Sequence, residues 1–256
     1  MAESSFHRLI DIMARLRSPN GCPWDREQTH DSLKPYLLEE AYEVLETLDQ
    51  RDDMGLKEEL GDLLLQIVFH SRVAEEDGRF TINDVVEGIN EKLIRRHPHV
   101  FGQVEIASAE EQRIHWEHLK KKEGKPSVLS GAPPKMPALL YANRIQQKAS
   151  TVGFDWNNRS QVWDKVIEEL KELEQAIDSK SHEAIEDELG DLLFSLVNLS
   201  RFLKVNPEDA LRKAIKKFTI RFKRVEEAMA TSGRTMQDAS LEEMDAVWNR
   251  IKHENV

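Results

Sequence analysis

Residues 35–46 read PYLLEEAYEVLE, and residues 58–64 read EELGDLL. Both stretches recur 129 residues later, as DKVIEELKELEQ at 164–175 and DELGDLL at 187–193. The leucine and glycine positions inside the second motif keep the same offset. A constant offset over separate matches is not expected by chance, and it indicates that one structural module is written twice.

The spacing of apolar residues within each copy is that of α-helices. In the first copy, apolar residues recur every three or four positions from Leu33 to Leu48, which predicts an amphipathic helix. The next segment, from Leu56 to Ala74, is apolar around nearly its whole circumference and predicts a helix buried in a bundle. Alternation with a period of two is absent over any useful length. The sequence therefore predicts an all-α protein of two tandem helical-bundle modules.

Capping and breaking residues predict where the helices begin and end. In the first copy, Thr81 is a suitable N-cap for a third long helix, which ends near Arg96 before His97-Pro98. Four prolines and two glycines at 124–137 deny the chain a continuous helix, so we predict a linker there. The predicted modules are 1–123 and 138–256. The other predicted helices span 4–17, 108–123, 138–150, 160–179, 182–204, 207–231 and 240–253.

The composition restricts the location and the partners of the protein. The chain of 256 residues has a formal net charge of −11, whereas non-specific binding of nucleic acid requires excess Lys and Arg. No apolar run reaches membrane-spanning length, and the N-terminus lacks the apolar stretch of a signal peptide. The single cysteine, Cys22, excludes an internal disulfide and a cysteine-based zinc site. We therefore expect a cytoplasmic protein that binds neither a membrane nor a nucleic acid polymer.

Four carboxylates in each copy are spaced to converge on one pocket. Residues three apart on a helix share a face, so Glu40 and Glu43 point one way, as do Glu59 and Asp62 on the next helix. A short connection makes these two helices antiparallel neighbours. Four anions beside an apolar groove repel one another and need counter-charge, which a divalent cation supplies. The corresponding residues of the second copy are Glu169, Glu172, Glu188 and Asp191.

The ligand types narrow the choice of metal. Di-iron bundles carry a His three residues after a Glu, which is not found after Glu43, Glu59, Glu172 or Glu188. An EF-hand loop, with its alternating Asp or Asn and central Gly, is also absent. Oxygen ligands alone on rigid helices favour Mg²⁺ or Mn²⁺, ions that share their coordination with substrate phosphates. The competing interpretation is that each EExxE pattern is an ordinary solvated helix face.

Basic and amide side chains favour the second copy as the working one. Lys213, Lys217 and Arg221 recur every four residues on one helix, where they can contact phosphate oxygens or simply complement the helix dipole. Asn198 lies two turns beyond the last carboxylate of its set, and the first copy has Phe69 there. An amide can hydrogen-bond a sugar or a base, and a phenyl ring cannot. The alternative is that Asn198 only bridges two helices.

These motifs resemble those of a known family. EExxE followed by ExxD is similar to the motif of the MazG nucleoside triphosphate pyrophosphohydrolases, which belong to the all-α NTP pyrophosphatase superfamily. The stretches at 21–46, 95–101 (RRHPHVF) and 152–156 (VGFDW) are similar to the wider signatures of this family. The resemblance covers nearly the whole chain. It implies a homodimer that hydrolyses NTPs and dNTPs to monophosphates and pyrophosphate with Mg²⁺.

The resemblance also implies roles for single residues. In the family the C-terminal copy usually carries the activity. Many members have a lysine shortly before the ELGD-like motif, whereas this chain has SHEA at 181–184. Lys217 and Arg221 would contact phosphates, and Asn198 and Trp248 would lie near the nucleoside. The implied metal ligands are Glu169, Glu172, Glu188 and Asp191.

Metal-assisted hydrolysis is the mechanism that we expect. Metal ions held by the four carboxylates would lower the pKa of a bound water and direct it at the α-phosphorus. Lys217 or Arg221 would meet the charge that develops on the leaving group. Glu168 is a candidate base, although the helix turns it by about 100° from Glu169.

Two other functions fit the same residues. One is a non-catalytic helical protein that senses nucleotides or binds a protein partner. The other is a related hydrolase with a narrower choice of substrate, such as dUTP or phosphoribosyl-ATP. The products formed from a panel of dNTPs distinguish these functions. Two cellular roles fit the expected enzyme, namely nucleotide house-cleaning and the tuning of a stress signal.

Overall fold

The computed structural model describes residues 5–102, Ser108 and residues 127–253. These residues form helices and no strands, which confirms the all-α fold class, and none of their helices is long and apolar enough to cross a membrane. The chain divides into two compact units, Met1–Ile106 and Ala107–Val256. The first contains α1 (Ser5–Leu16), α2 (Pro23–Glu27), α3 (His30–Gln50), α4 (Asp53–Glu76), α5 (Ile82–Arg96) and α6 (Pro98–Phe101). The second contains α7 (Ala138–Ser150), α8 (Arg159–Ser179), α9 (His182–Phe202), α10 (Pro207–Thr231) and α11 (Leu241–His253).

The same left-handed turn reverses the chain in both units. Arg51 has a φ of 56° and Lys180 a φ of 58°, and these two positions are related by the offset of the repeat. Each turn is followed by an N-cap: the Asp52 carboxylate accepts hydrogen bonds from the Met54 and Gly55 amides, and the Ser181 hydroxyl accepts one from Ala184. The turns make α3 antiparallel to α4, and α8 antiparallel to α9.

The predicted N-cap of α5 is confirmed. The Thr81 hydroxyl accepts a hydrogen bond from the Asp84 amide at 3.3 Å, and the Asp84 carboxylate accepts one from the Thr81 amide at 2.7 Å. α5 ends at Arg96, as predicted, but the chain then forms the short helix α6, which begins at Pro98. Proline suits this position because the first turn of a helix needs no amide donor.

The core of the first unit lies at the C-terminal half of α4. The first half of α4 departs from the prediction of a helix buried in a bundle, because Leu60 is 50% and Leu64 37% exposed. The physical reason is that α1, the first turn of α3 and the start of α5 all pack on the same half of α4. The buried cluster consists of Met13, Leu33, Val68, Phe69, Val73 and Ile82.

A pair of histidines joins α3 to α4 within the first unit. Nδ1 of His30 lies 2.8 Å from Nδ1 of His70, and the two rings are stacked. The Arg79 guanidinium, which can only donate, lies 2.6 Å from Nε2 of His30. Nδ1 of His30 is therefore the donor, and Nδ1 of His70 the acceptor, of the hydrogen bond between the two rings.

The second unit has two buried clusters. Val162, Val166 and Leu199 pack α8 against α9 and so fix the separation of the glutamates that these helices carry. The other cluster consists of Val225, Met229 and Ile251, which pack α10 against α11. The predicted helix at 108–123 lies outside the described residues, apart from Ser108.

The described part of the predicted linker packs against α7. Lys148 of α7 is only 3% exposed, and its ammonium donates hydrogen bonds to the carbonyls of Val128 at 3.3 Å and Ser130 at 3.0 Å. Residues 127–137 are therefore not a free tether at this end. The domain limits given above stay a prediction.

Candidate active site

Three of the four predicted carboxylates of the second unit lie together. Glu169 and Glu172 stand one turn apart on α8, and Glu188 faces them from α9. One oxygen from each carboxylate lies within 4.8 Å of the others. The fourth residue, Asp191, is not part of this group, but it lines the adjoining cavity together with Glu169.

The carboxylate group carries more negative charge than its surroundings neutralise. Glu169 is 5% exposed, and a carboxylate buried to this extent needs a partner. Desolvation, followed by the charge of Glu169, raises the pKa of Glu172 above its usual value. Because the three side chains offer only hard oxygen ligands at short mutual distances, they suit a cation such as Mg²⁺ or Mn²⁺.

Lys165 is a member of the site that the sequence reasoning missed. Its Nζ lies 2.7 Å from a carboxylate oxygen of Glu168 and 2.7 Å from one of Glu169. The hydrogen bonds to Glu168 and to Glu169, in that order, raise the pKa of Lys165. A sequence signal existed, because Lys165 precedes Glu169 by one helical turn and the first copy has Tyr36 at the corresponding position. The lysine supplies counter-charge in the second unit only.

Glu168, the candidate base, lies beside the carboxylate group, on a more exposed side of α8 than Glu169. Its side chain is 56% exposed and pairs with Lys165, whereas that of Glu169 is 6% exposed. It does not line the cavity that contains Asp191 and Glu169. The difference follows from the 100° rotation between successive helical residues. Its role as a base stays a prediction.

A cavity of about 780 Å³ adjoins the carboxylates. Asn198 lines it, and its Oδ1 accepts hydrogen bonds from Arg201 at 3.1 and 2.8 Å. Arg201 in turn forms an ion pair with Asp155, which follows the VGF sequence at 152–154. The sequence did not predict this network. The apolar lining includes Leu129, Ile145, Phe154, Trp156 and Phe194.

The basic stripe and Trp248 do not line this cavity. Lys213 and Lys217 are exposed on α10. Arg221 is half-buried, and its Nε has no hydrogen-bond partner within the described part of the chain. The Trp248 ring packs against Phe218, with the ring centroids 5.2 Å apart, and belongs to the edge of the core between α10 and α11. The roles predicted for these residues in binding phosphates and the nucleoside stay predictions.

The first unit repeats the carboxylate arrangement. Oxygens of Glu40, Glu43 and Glu59 lie within 4.8 Å of one another, and Asp62 again stands outside the group of three. Desolvation, followed by the charge of Asp62, raises the pKa of Glu40. Desolvation, followed by the charge of Glu43, raises the pKa of Glu59. Phe69, which replaces the asparagine of the second copy, is 3% exposed and belongs to the core.

A profile of the MazG nucleotide pyrophosphohydrolase domain matches this chain twice, at residues 28–101 and 158–226. The chain belongs to the MazG family. The two MazG segments contain the two carboxylate groups, one in each unit. The second also contains Asn198, Lys217 and Arg221, whereas Trp156 and Trp248 lie outside it.

MazG relatives match the chain over nearly its whole length. The nucleoside triphosphate pyrophosphohydrolase/pyrophosphatase MazG of Thermotoga maritima is 52% identical over 250 residues, which cover 96% of this chain and 95% of the relative. The nucleoside triphosphate pyrophosphohydrolase of Escherichia coli K12 is 44% identical over 258 residues, 97% of each chain. A Mycobacterium tuberculosis protein with the same name is 43% identical over 152 residues, 57% of this chain and 46% of the relative.

Proposed function

We propose that this MazG protein is a magnesium-dependent nucleoside triphosphate pyrophosphohydrolase that works at its second unit. It converts NTPs and dNTPs to monophosphates and pyrophosphate. The observation that carries the proposal is the gathering of Glu169, Glu172 and Glu188 within 4.8 Å, beside a cavity lined by Asp191 and Asn198. The names of the relatives from Thermotoga maritima and Escherichia coli support the same reaction.

The residues of the second unit fit a divalent cation. The three glutamates and the nearby Asp191 would hold Mg²⁺, or Mn²⁺ in its place, because all their ligand atoms are carboxylate oxygens. When bound, the cation supplies counter-charge to the triphosphate and lowers the pKa of the attacking water. The buried position of Glu169 keeps bulk water away from one side of this group, which strengthens the electrostatic interactions there.

The remaining residues orient the substrate. Lys165 holds a positive charge beside Glu169 and at the wall of the cavity, where it can donate hydrogen bonds to phosphate oxygens once a cation takes over the carboxylate. Arg201 fixes the amide of Asn198 through Oδ1, so the NH₂ group of Asn198 serves as the donor towards the nucleoside. Lys217 and Arg221 are proposed to contact the departing pyrophosphate, and Glu168 to accept the proton of the water.

The first unit has the carboxylates but differs at two positions that matter for substrate. Tyr36 stands where the second unit has Lys165, and Phe69 where it has Asn198. A phenol and a phenyl ring supply neither the positive charge nor the amide. We therefore assign to Glu40, Glu43, Glu59 and Asp62 at most a second metal site.

A homodimer and a cytoplasmic location complete the proposal. Large apolar side chains remain exposed on α9 and α10, for example Leu193 at 48% and Ile215 at 57%. Exposed side chains of this kind support association with a second copy of the chain. Sedimentation equilibrium tests the dimer, and a monomeric mass at micromolar concentration would contradict it. The location is supported by the substrates, because nucleoside triphosphates are cytoplasmic metabolites.

Product analysis with matched variants tests the reaction. The wild-type protein is incubated with Mg²⁺ and each dNTP, and pyrophosphate is distinguished from orthophosphate. We expect Glu172→Gln to lower pyrophosphate release roughly 100-fold or more and Glu43→Gln to leave most of it intact. Glu174→Gln, an exposed residue of the same helix, is the control. Full activity of Glu172→Gln, or orthophosphate as the product, would contradict the proposal.

A further inference from the structure

Gln146 is a buried side chain with one half of its amide unused. It lies on α7, is 7% exposed, and its Nε2 donates a hydrogen bond to the carbonyl of Phe194 at 2.9 Å. A carbonyl oxygen only accepts, so this bond fixes the orientation of the amide. The other atom, Oε1, is buried and has no hydrogen-bond partner among the residues that the structure describes. A buried acceptor of this kind costs stability unless water or a ligand provides a donor.

Gln146 lies at the wall of a cavity in which such a ligand can bind. The residue lines the cavity of about 780 Å³ that also contains Glu169 and Asp191. The volume suits a ligand of nucleotide size. The wall of the cavity carries the aromatic rings of Phe154 and Trp156, which provide flat apolar surfaces for a base.

Because Oε1 is an acceptor, some parts of a nucleotide cannot be its hydrogen-bond partner. An amide oxygen cannot hydrogen-bond a fully ionised phosphate, which has acceptors only. It requires an N–H or O–H group. Each of the common bases carries an N–H on its Watson–Crick edge, on an exocyclic amino group in adenine and cytosine and on a ring nitrogen in guanine and uracil or thymine. Next to that N–H each base has an acceptor, which matches the NH₂ donor of Asn198 on the same cavity.

We propose that Oε1 of Gln146 accepts a hydrogen bond from the N–H group of the substrate base and so helps the second unit to recognise nucleoside triphosphates. The inference rests on the proposed function, because it takes the triphosphate to lie at the carboxylate end of the cavity. Gln146 lies outside the matched MazG segment at 158–226 and became visible only through its burial and its hydrogen bonds. The contact recognises a donor common to all bases and does not select one base.

A cycle of protein and substrate changes tests the proposal. ATP is compared with purine riboside triphosphate, which lacks the amino group, in the wild-type chain and in Gln146→Met. We expect wild-type kcat/KM to be roughly 5- to 100-fold lower for the analogue, mainly through KM, and the variant to treat the two substrates alike. Gln147→Met is the control, because the Gln147 side chain accepts a hydrogen bond from Arg144 and does not line the cavity.

Each outcome counts for or against Gln146. Equal wild-type activity on ATP and the analogue overturns the proposal without any variant, so a misfolded Gln146→Met cannot obscure the answer. Equal losses on both substrates in Gln146→Met assign the residue to packing alone. If instead the variant stops distinguishing ATP from 3′-deoxy-ATP, the acceptor serves the sugar and the proposal is wrong. Absence of pyrophosphate from wild-type protein and ATP is a separate result, because it refutes the proposed function itself.

Discussion

Replacing Lys165 with methionine should destabilise the metal-free second unit. The ammonium lies 2.7 Å from Glu168 and from Glu169, and the side chain of Lys165 is 34% exposed while that of Glu169 is 6% exposed. At this distance the Coulomb attraction is about 6 kcal/mol at an effective dielectric constant of about 20 and about 1.5 kcal/mol in water. Solvent screening and desolvation cancel much of it. Because the substitution leaves Glu169 buried without counter-charge, we expect a net loss of about 1–3 kcal/mol.

A bound cation should reduce this loss. It supplies the counter-charge that the ammonium gave, so Mg²⁺ should stabilise the variant more than the wild type. Urea denaturation followed by tryptophan fluorescence, in EDTA and in saturating Mg²⁺, measures both effects. Lys171→Met, an exposed residue of the same helix, should change the free energy of unfolding by less than about 0.5 kcal/mol. If the two variants are equally stable in EDTA, or if Mg²⁺ stabilises Lys165→Met no more than the wild type, Lys165 does not supply the counter-charge of Glu169.

Two further predictions concern the segment before α7 and the first unit. Lys148→Met removes the hydrogen bonds to the carbonyls of Val128 and Ser130, and Leu129 between them lines the cavity. Steady-state kinetics of this variant should therefore show a several-fold higher KM and a smaller change in kcat. An unchanged KM would contradict this prediction. Burial, followed by the charge of His30, lowers the pKa of His70, so the first unit should lose stability as the pH falls below about 6.5. Hydrogen exchange of α4 peptides, corrected for intrinsic rates, should show this loss in the wild type and not in His70→Leu, which introduces the residue that the second copy has.

The helices and the carboxylate groups could be predicted because both depend on local geometry. A 3.6-residue period and a constant offset place Glu169 and Glu172 on one face whatever surrounds them. The turn at Lys180 then needs only a short connection to bring Glu188 opposite. Lys165 could have been found in the same way, since its relation to Glu169 is also one helical turn. Comparison of the two copies shows that a positive charge is present at Lys165 and not at the corresponding Tyr36.

Other features depend on packing and left no pattern in the sequence. Gln146 and Phe194 are far apart along the chain, and their hydrogen bond exists only because α7 lies against α9. The exposed first half of α4 was also missed, because an apolar helix looks the same whether or not other helices cover it. Leu60 and Leu64 show this difference directly.

The helices, the duplication and the family could be predicted from the sequence alone, because each is carried by local motifs or by their repetition at a constant offset. Which polar groups are buried together depends on how the helices pack. The tertiary structure leaves Lys217 and Trp248 outside the cavity and puts Gln146 and the Arg201–Asp155 ion pair at its wall. The physical reason is that burial and hydrogen bonding between distant side chains depend on how the helices pack, and periodicity along one helix does not encode its neighbours.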